Sequence, residues 1–488
     1  MQNDNPLVFP KEVDLVRQQK YSHFDRIYFG EHFEAFSIKA DKEVRERYAK
    51  LRYVVSNFGG LMSRVVADML FGEPVTIDVT DKNQVFIDNL IEQNQLFSQL
   101  YETALVDSRR GDACLKLRIG LRHPKDDENT IIIEEFPATN YFPVLEQNAT
   151  RNTPTQEVIA IQFKQNKRTY LHREIHEPGL IVNEVWGYDE KQRKLTSQED
   201  PTKFGFDEQK ETGVKRSLIF HVPNVRDGSG YFGTSDYVDL DSLFFALNNR
   251  MTSVDNILDK HSDPILAVPP GILDEKGRVK KESLSMVEVD NEQPGFNKPE
   301  YIVWNANLES AFKQIDKLIE VLFMFSEIAP ASLGREQGGG MAESGRALKF
   351  KLLATIRKRN RKLRYFDQAM KDLLQTAQEL SLVHGVQILG AKPVEAERPK
   401  IVWPDGVLND PVEETEVSIQ RIDAGIQSRA DAIAHLDGMS PDEAREKVEQ
   451  IDKENTNDLP PITNNLNGRG TGQPAANPAP DLAGTAKK

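Results

Sequence analysis

The chain has 488 residues, of which 39% are hydrophobic and 28% charged, with a net charge of −14, a size suited to about three domains. A mean hydropathy of −0.53, with no run near the ~18 to 20 apolar residues of a membrane helix, excludes a spanning segment, and the acidic balance argues against coating nucleic acid, which needs clustered Lys and Arg. Cys114 is the single cysteine, so no intrachain disulfide forms and a reducing compartment is expected; the start, MQNDNPLVFPKEVD, lacks the pattern of a signal peptide.

The first forty residues are poorly patterned. From Asp41, Val44, Tyr48, Leu51, Val55, Phe58 and Met62 recur at helical steps. A second helical run to Leu70 stops at Phe71-Gly72-Glu73-Pro74. Val75 to Val79 alternates as a strand, Asn83 to Arg109 reads as two helices, and Cys114 to Leu121 alternates again. Strands are expected at Ile131–Phe136, Glu157–Phe163, Arg168–His176, Leu180–Trp186 and Ser217–Val222, with a turn at Glu177-Pro178-Gly179. The highly charged stretch Glu190–Val214 reads as an exposed loop.

Gly228 to Ser235 is a loop, and Asp236 is expected to open a long helix striped by Tyr237, Leu240, Leu243, Phe244, Leu247, Met251, Val254 and Leu258. Asp263-Pro264 and Val268-Pro269-Pro270-Gly271 end it, because proline has no amide proton and a fixed φ. Ser262–Asn307 reads as a compact insertion with short strands at Ile265–Val268, Ser285–Val289 and Tyr301–Trp304. A second helix starts near Leu308, with Phe312, Ile315, Leu318, Ile319, Leu322, Phe325 and Ile328 on its apolar face. Two helices flanking an insertion predict an antiparallel pair with the insertion at its tip.

A glycine-rich loop follows, and then a helix from Ser344 to about His384. Unbroken it would be about 60 Å long, so it is expected to kink or to span layers. Between Arg346 and Arg364 it holds nine basic residues and no acidic one. On residues alone this is either a face paired with acidic neighbours, another subunit's among them, or a phosphate-contacting face. Pro393–Trp403 reads as extended. Asp405–Glu454 reads as helical, with 14 acidic residues against 5 basic ones and helix starts at Ser428 and Ser440. From Asn455 the proline-rich tail is expected to be disordered.

Three chemical readings fail on their residues. Gly334 and Gly339 have P-loop separation, but Gly340-Met341 stand where Lys and Ser/Thr are needed, and the preceding element is a helix. His172 and His176 flank Glu174 in HREIH, not the HExxH of a zinc helix, and the segment alternates as a strand. The acidic clusters Asp126-Asp127-Glu128 and Glu134-Glu135 read as solvated surface. No catalytic set, cofactor site or metal site is expected.

Four segments in this order carry a resemblance: Leu70-Phe71-Gly72-Glu73-Pro74; Tyr231-Phe232-Gly233-Thr234-Ser235-Asp236; Asn248 to Asp255 with Lys260-His261-Ser262-Asp263-Pro264; and Ala342 to Leu348. With the helix–insertion–helix unit, the chain from Asp41 to Glu454 resembles portal proteins of tailed bacteriophages. The resemblance implies an α+β, mainly helical portal fold with an α/β wing (41–234 and 344–404), a two-helix stem (235–261 and 308–329), a small α/β clip (262–307), a tunnel loop (330–343) and a helical, acidic crown (405–454). Residues 1–40 and 455–488 lie outside it. It implies a homo-oligomeric ring of about twelve copies at a capsid vertex, assembled in the host cytoplasm, with no enzymatic activity and no membrane partner. Double-stranded DNA would pass through the ring during packaging and ejection. Further implied partners are the terminase large subunit, the major capsid and scaffolding proteins, and the head-completion or adaptor proteins. Arg335, Glu336, Gln337, Gly338, Gly339, Gly340 and Met341 would face the channel. Arg250, Lys260, Lys313 and Lys317 are candidate weak basic rings; about twelve copies at −14 each would carry about −168, which disfavours tight DNA binding. Other readings are a packaging-associated ATPase or nuclease subunit, or a monomeric nucleic-acid-binding protein.

Overall fold

The structure, a computed structural model, describes residues 7–37, 46, 53–146, 153–228, 230–262, 265–267, 300–302, 308–334, 345–404, 411–439 and 441–457. It is α+β and mainly helical. The chain divides into two compact units, Met1–Leu408 and Asn409–Lys488.

The first unit opens with α1 (Glu12–Tyr28) and α2 (His32–Ser37). This corrects the view of the first forty residues as unpatterned. The buried side of α1 is Arg17, Tyr21, Phe24 and Ile27, a helical stripe with a cation in it. Its guanidinium is kept by the carbonyls of Ala138 and Tyr141 and lies 4.2 Å from the Phe232 ring centre. The helical run through Val55 is also corrected: Tyr53–Asn57 is irregular, and α3 spans Phe58–Phe71. Asn57 sets that start by accepting from Gly60 N at 2.9 Å, filling a donor the first turn leaves open. Gly72 closes α3 as expected.

Next come β1 (Thr76–Asp78), α4 (Asp81–Asn94), α5 (Leu96–Arg110), β2 (Asp112–Gly120) and β3 (Thr130–Phe136). A first sheet has the antiparallel order β10–β2–β3, with β10 at Ile219–Pro223. A second is built on β4 (Val144–Leu145), β5 (Pro154–Gln165), β6 (Arg168–Glu177), β7 (Leu180–Asp189) and β8 (Lys194–Glu199), with β9 (Gln209–Glu211) paired to β7. Asn166 and Lys167 both take positive φ in the tight β5–β6 turn, and Gly179 does so in the β6–β7 turn. β8 and β9 overturn the expected loop at 190–214. Both strands are mostly polar because they face solvent, yet Leu195 is buried against Val158, Ala160 and Leu171.

Two long helices follow, α6 (Asp241–Ser262) and α7 (Leu308–Ser326), packed together as a hairpin. Between them β11 (Ile265–Ala267) pairs antiparallel with β12 (Glu300–Ile302), so the intervening segment leaves and returns at the hairpin tip. The expected strand Ser285–Val289 and the rest of 268–299 lie outside the described residues. The basic helix is split into α8 (Gly345–Lys351) and α9 (Leu353–His384), with Leu352 off helical geometry at φ −86° and ψ 1°. This is the expected kink. β13 (Lys400–Val402) then returns to pair with β1.

The large core of this unit joins α3, α4 and α5, the faces of β2 and β3, α6 and α9. Leu70, Ile87, Leu90, Leu100, Leu115 and Phe244 are at most 1% exposed within it. The second unit holds α10 (Pro411–Asp423), α11 (Arg429–Asp437) and α12 (Pro441–Asn457). Ser428 caps α11 by accepting from Asp431 N at 3.0 Å, and Ser418, Ala432 and Ala444 are buried in this unit. The expected disordered tail, apart from Asn455–Asn457 at the end of α12, lies outside the described residues.

Candidate functional site at the base of the helical hairpin

The Tyr231–Asp236 motif is held by close backbone approach. A Cβ on Gly233 would lie 2.2 Å from Gly111 O, and Gly111 has φ +90°. Only glycine fits at both places. Asp112, 1% exposed, fixes the same loop. Its Oδ1 accepts from Gly233 N at 2.8 Å and faces His221 Nε2 at 2.7 Å, and its Oδ2 accepts from Tyr21 Oη at 2.5 Å. Asp236 N donates to Ser108 O at 2.9 Å, and Tyr237 N to Ser235 Oγ at 3.1 Å. These local bonds hold 236–240 as a turn, so α6 starts at Asp241 and not at Asp236 as the sequence suggested.

Asp236 is the centre of a buried charge hub. Lys362 Nζ is 2.7 Å from its Oδ2 and Lys358 Nζ 3.1 Å from its Oδ1, with side-chain exposures of 0% and 8% for the lysines and 8% for the aspartate. Ser108 Oγ also donates to Asp236 Oδ2 at 2.7 Å, and Asn224 Nδ2 donates to Oδ1 at 3.2 Å. Lys362 donates to Asn224 Oδ1 as well. Lys358 donates to Ser326 O at 2.9 Å, the last residue of α7, and Thr355 Oγ1 accepts from Ala329 N at 2.8 Å. α9 therefore grips the start of one hairpin helix and the end of the other. Arg359 adds bonds to the carbonyls of Met69 and Pro404.

Burial alone would raise the Asp236 carboxyl, but Lys358 and Lys362 outweigh it and hold the group well below the usual carboxylate range. Burial lowers the Lys358 ammonium, against the pull of Asp236. Asp107 behaves in the opposite way. Burial pushes its carboxyl well up; Lys362 opposes this, and Asp236 and Asp112 add to it. Its Oδ1 has no hydrogen-bond partner among the described residues. The hub is thus a lysine–carboxylate cluster beside an acid whose burial disfavours its charged form.

The basic helix turns out to pair within its own chain. Lys358 and Lys362 meet Asp236, and Arg361 meets Glu327. Of the two readings made from the sequence, these three cations fit the first, with acidic neighbours from the chain itself. The sequence carried one signal: Lys358 and Lys362 are four apart, hence on one helix face, and Asp236 closes a conspicuous motif.

Four of the candidate channel residues lie on the hairpin helices, Arg250 and Lys260 on α6 and Lys313 and Lys317 on α7. Lys313 pairs with Glu309 at 2.7 Å and Lys317 with Glu320 at 2.8 Å, all four well exposed on α7. Arg250 is half-buried on α6, and Lys260 lies in the last turn of α6. Arg335, Glu336, Gln337, Gly338, Gly339, Gly340 and Met341 lie outside the described residues. Among the described residues no cluster of His, Cys, Asp and Glu could hold a metal ion. His172 stacks on Phe206 at 3.9 Å and faces Asn183, while His176 faces Glu174. Cys114 is fully buried, which pushes its thiol well up, the opposite of a reactive thiolate. No helix among the described residues is long and apolar enough to cross a membrane.

The fold and this hub define a protein that holds two long helices in fixed register around an insertion. A family profile described as "Phage portal protein, SPP1 Gp6-like" matches residues 11–460, and the chain belongs to that family. Among solved structures it is similar to a chain of "Neck of empty GTA particle computed with C6 symmetry", at 12% identity and a TM-score of 0.45, covering 79% of this chain and 91% of that one. It is also similar to a chain of "Neck of native GTA particle computed with C12 symmetry", at 12% identity and a TM-score of 0.44, covering 78% and 90%. A third, from "Virion of native gene transfer agent (GTA) particle", has 12% identity and a TM-score of 0.42, with the same coverage. No curated protein matches the chain.

Proposed function

We propose that copies of this chain form a ring of about twelve subunits at a capsid vertex, through which double-stranded DNA enters and leaves. The terminase large subunit and then head-completion proteins dock on the clip, 262–307, and capsid and scaffolding proteins surround the wing, 41–234 with 344–404. α6 and α7 belong to the stem, 330–343 is the tunnel loop, and 405–454 is the crown inside the head. The observation that carries this reading is the hairpin: in a chain of the portal family, two long helices are bolted together at their base by Lys358, and β11 pairs with β12 at their tip. A ring lining a DNA path needs helices that keep their relation while an insertion at the tip engages partners.

The test is native mass spectrometry and negative-stain imaging of the purified chain. A closed ring with a central hole is expected, and a monodisperse monomer under all conditions overturns the reading. A second experiment addresses DNA. Reversing Lys313 and Lys317 to Glu is expected to alter packaging or DNA retention; unchanged packaging and retention remove these residues from the channel.

A further inference from the structure

We infer that the hairpin shaft carries both halves of a contact between copies of the chain, with a groove on one flank and a ridge on the other. This rests on the ring reading above. The groove lies between α6 and α7, has a volume of about 370 Å³, and is lined by Phe245, Ala246, Asn249, Arg250, Gln314 and Leu318 among others. Arg250 forms no ion pair among the described residues, and Asn249 Oδ1 is buried without a hydrogen-bond partner there. The groove is therefore mixed, with Phe245, Ala246 and Leu318 beside one uncompensated cation and one open acceptor.

The ridge follows from the turn of α7. At about 100° per residue, the packed residues Ile315, Leu318, Ile319 and Leu322 point inward. Gln314 falls beyond Leu318 on one side, and Phe312 and Asp316 fall on the other. Phe312 is 47% exposed. Asp316 is exposed and forms no ion pair among the described residues, whereas its neighbours Glu309 and Glu320 are taken by Lys313 and Lys317.

One flank thus offers an aromatic side chain beside a carboxylate with no ion pair among the described residues, and the opposite flank offers a mixed groove holding a guanidinium with none either. Two different, complementary patches on opposite flanks of one element are what a head-to-tail ring contact requires. DNA suits the groove poorly, because phosphate binding calls for clustered cations and this groove presents one. The occupant is the Phe312–Asp316 ridge of a second copy, with Asp316 against Arg250.

Charge reversal tests the pairing. Arg250→Glu alone and Asp316→Arg alone are each expected to raise the concentration for half-assembly by roughly tenfold or more, and the double variant to return within about threefold of the unaltered chain. Native mass spectrometry over a dilution series reads all four proteins. The rescue also separates lost contact from misfolding, since a second reversal does not repair a misfolded chain. If the unaltered chain forms rings and both single variants assemble like it, this placement is wrong and the ring reading stands. If the single variants fail and the double variant fails equally, the Arg250–Asp316 pairing is wrong. If the unaltered chain never leaves the monomer, both readings fall together.

Discussion

The base and the shaft of the hairpin hold charge in opposite ways. At the base, Asp236, Lys358 and Lys362 are nearly shut off from water and satisfy one another within the chain. Along the shaft, Lys313 and Lys317 stand in solvent beside acids of their own helix. A buried ion is tolerable only while its partners stay in place, so charge at the base fixes geometry. A solvated ion pair contributes little and leaves its surface open for other contacts. The same residue types thus act as a bolt in one place and as surface in the other.

The largest test of that contrast is at Asp236. Asp236→Leu leaves two buried lysines without a counter-charge and is expected to cost about 3–5 kcal/mol in denaturant unfolding. Replacing Asp236, Lys358 and Lys362 together with Leu, Met and Met should recover more than half of the loss. A triple variant as unstable as the single one would show that the hub acts through packing and not through charge.

A smaller loss, about 1–3 kcal/mol, is expected for Gly233→Ala, whose Cβ would strike the Gly111 carbonyl. The same unfolding experiment measures it, and a neutral result would mean that the motif loop can shift without disturbing Asp236.

Acid unfolding compares the hub with a second buried site, in the sheets. Burial pushes the Glu174 carboxyl up, but the His176 hydrogen bond and Lys116 outweigh it and hold the group at about 2 against an ordinary 4.5. Because the folded value lies below the ordinary one, the stabilisation is complete above the ordinary value and is lost as pH falls through the folded one. Glu174→Gln should therefore flatten the stability profile between about pH 4.5 and about pH 2. Asp236, also held down, follows the same sign. An acid limb unchanged by Glu174→Gln would remove that carboxyl from the account.

The smallest effect belongs to the shaft. Lys313→Glu and Lys317→Glu should each change stability by no more than about 0.5 kcal/mol in thermal or denaturant melts. A large loss would mean that the shaft is bolted as the base is.

Much of the fold was legible because its apolar residues are clustered between turn signals. β5 carries the run Val158–Ile161 and β7 the run Leu180–Val182, bounded by the turns at 166–167 and 179, and α6 keeps one apolar stripe, so each announced itself. α1 was missed because its inward face includes Arg17, a cation that composition assigns to water. β8 and β9 were missed because solvent-facing strands carry little apolar signal; only Leu195 of β8 is buried. The hub was illegible for a related reason. Lys358 and Lys362 look like surface until Asp236, more than a hundred residues earlier, is placed against them, and pairing across that separation comes from tertiary structure alone. Family membership was readable from the order of short motifs, none of which is chemical.

α9 also has a mechanical meaning. Its near end is pinned to both hairpin helices through Thr355, Lys358 and Lys362. At its far end, His384 meets Thr212 O at 2.9 Å, beside β9, and Ser381 donates to Val386 O at 2.7 Å. A helix fastened at both ends is a strut: it cannot slide at one end without loading the other. Leu352, where the backbone leaves helical geometry, stands just ahead of that strut and so marks where α8 can take a direction of its own.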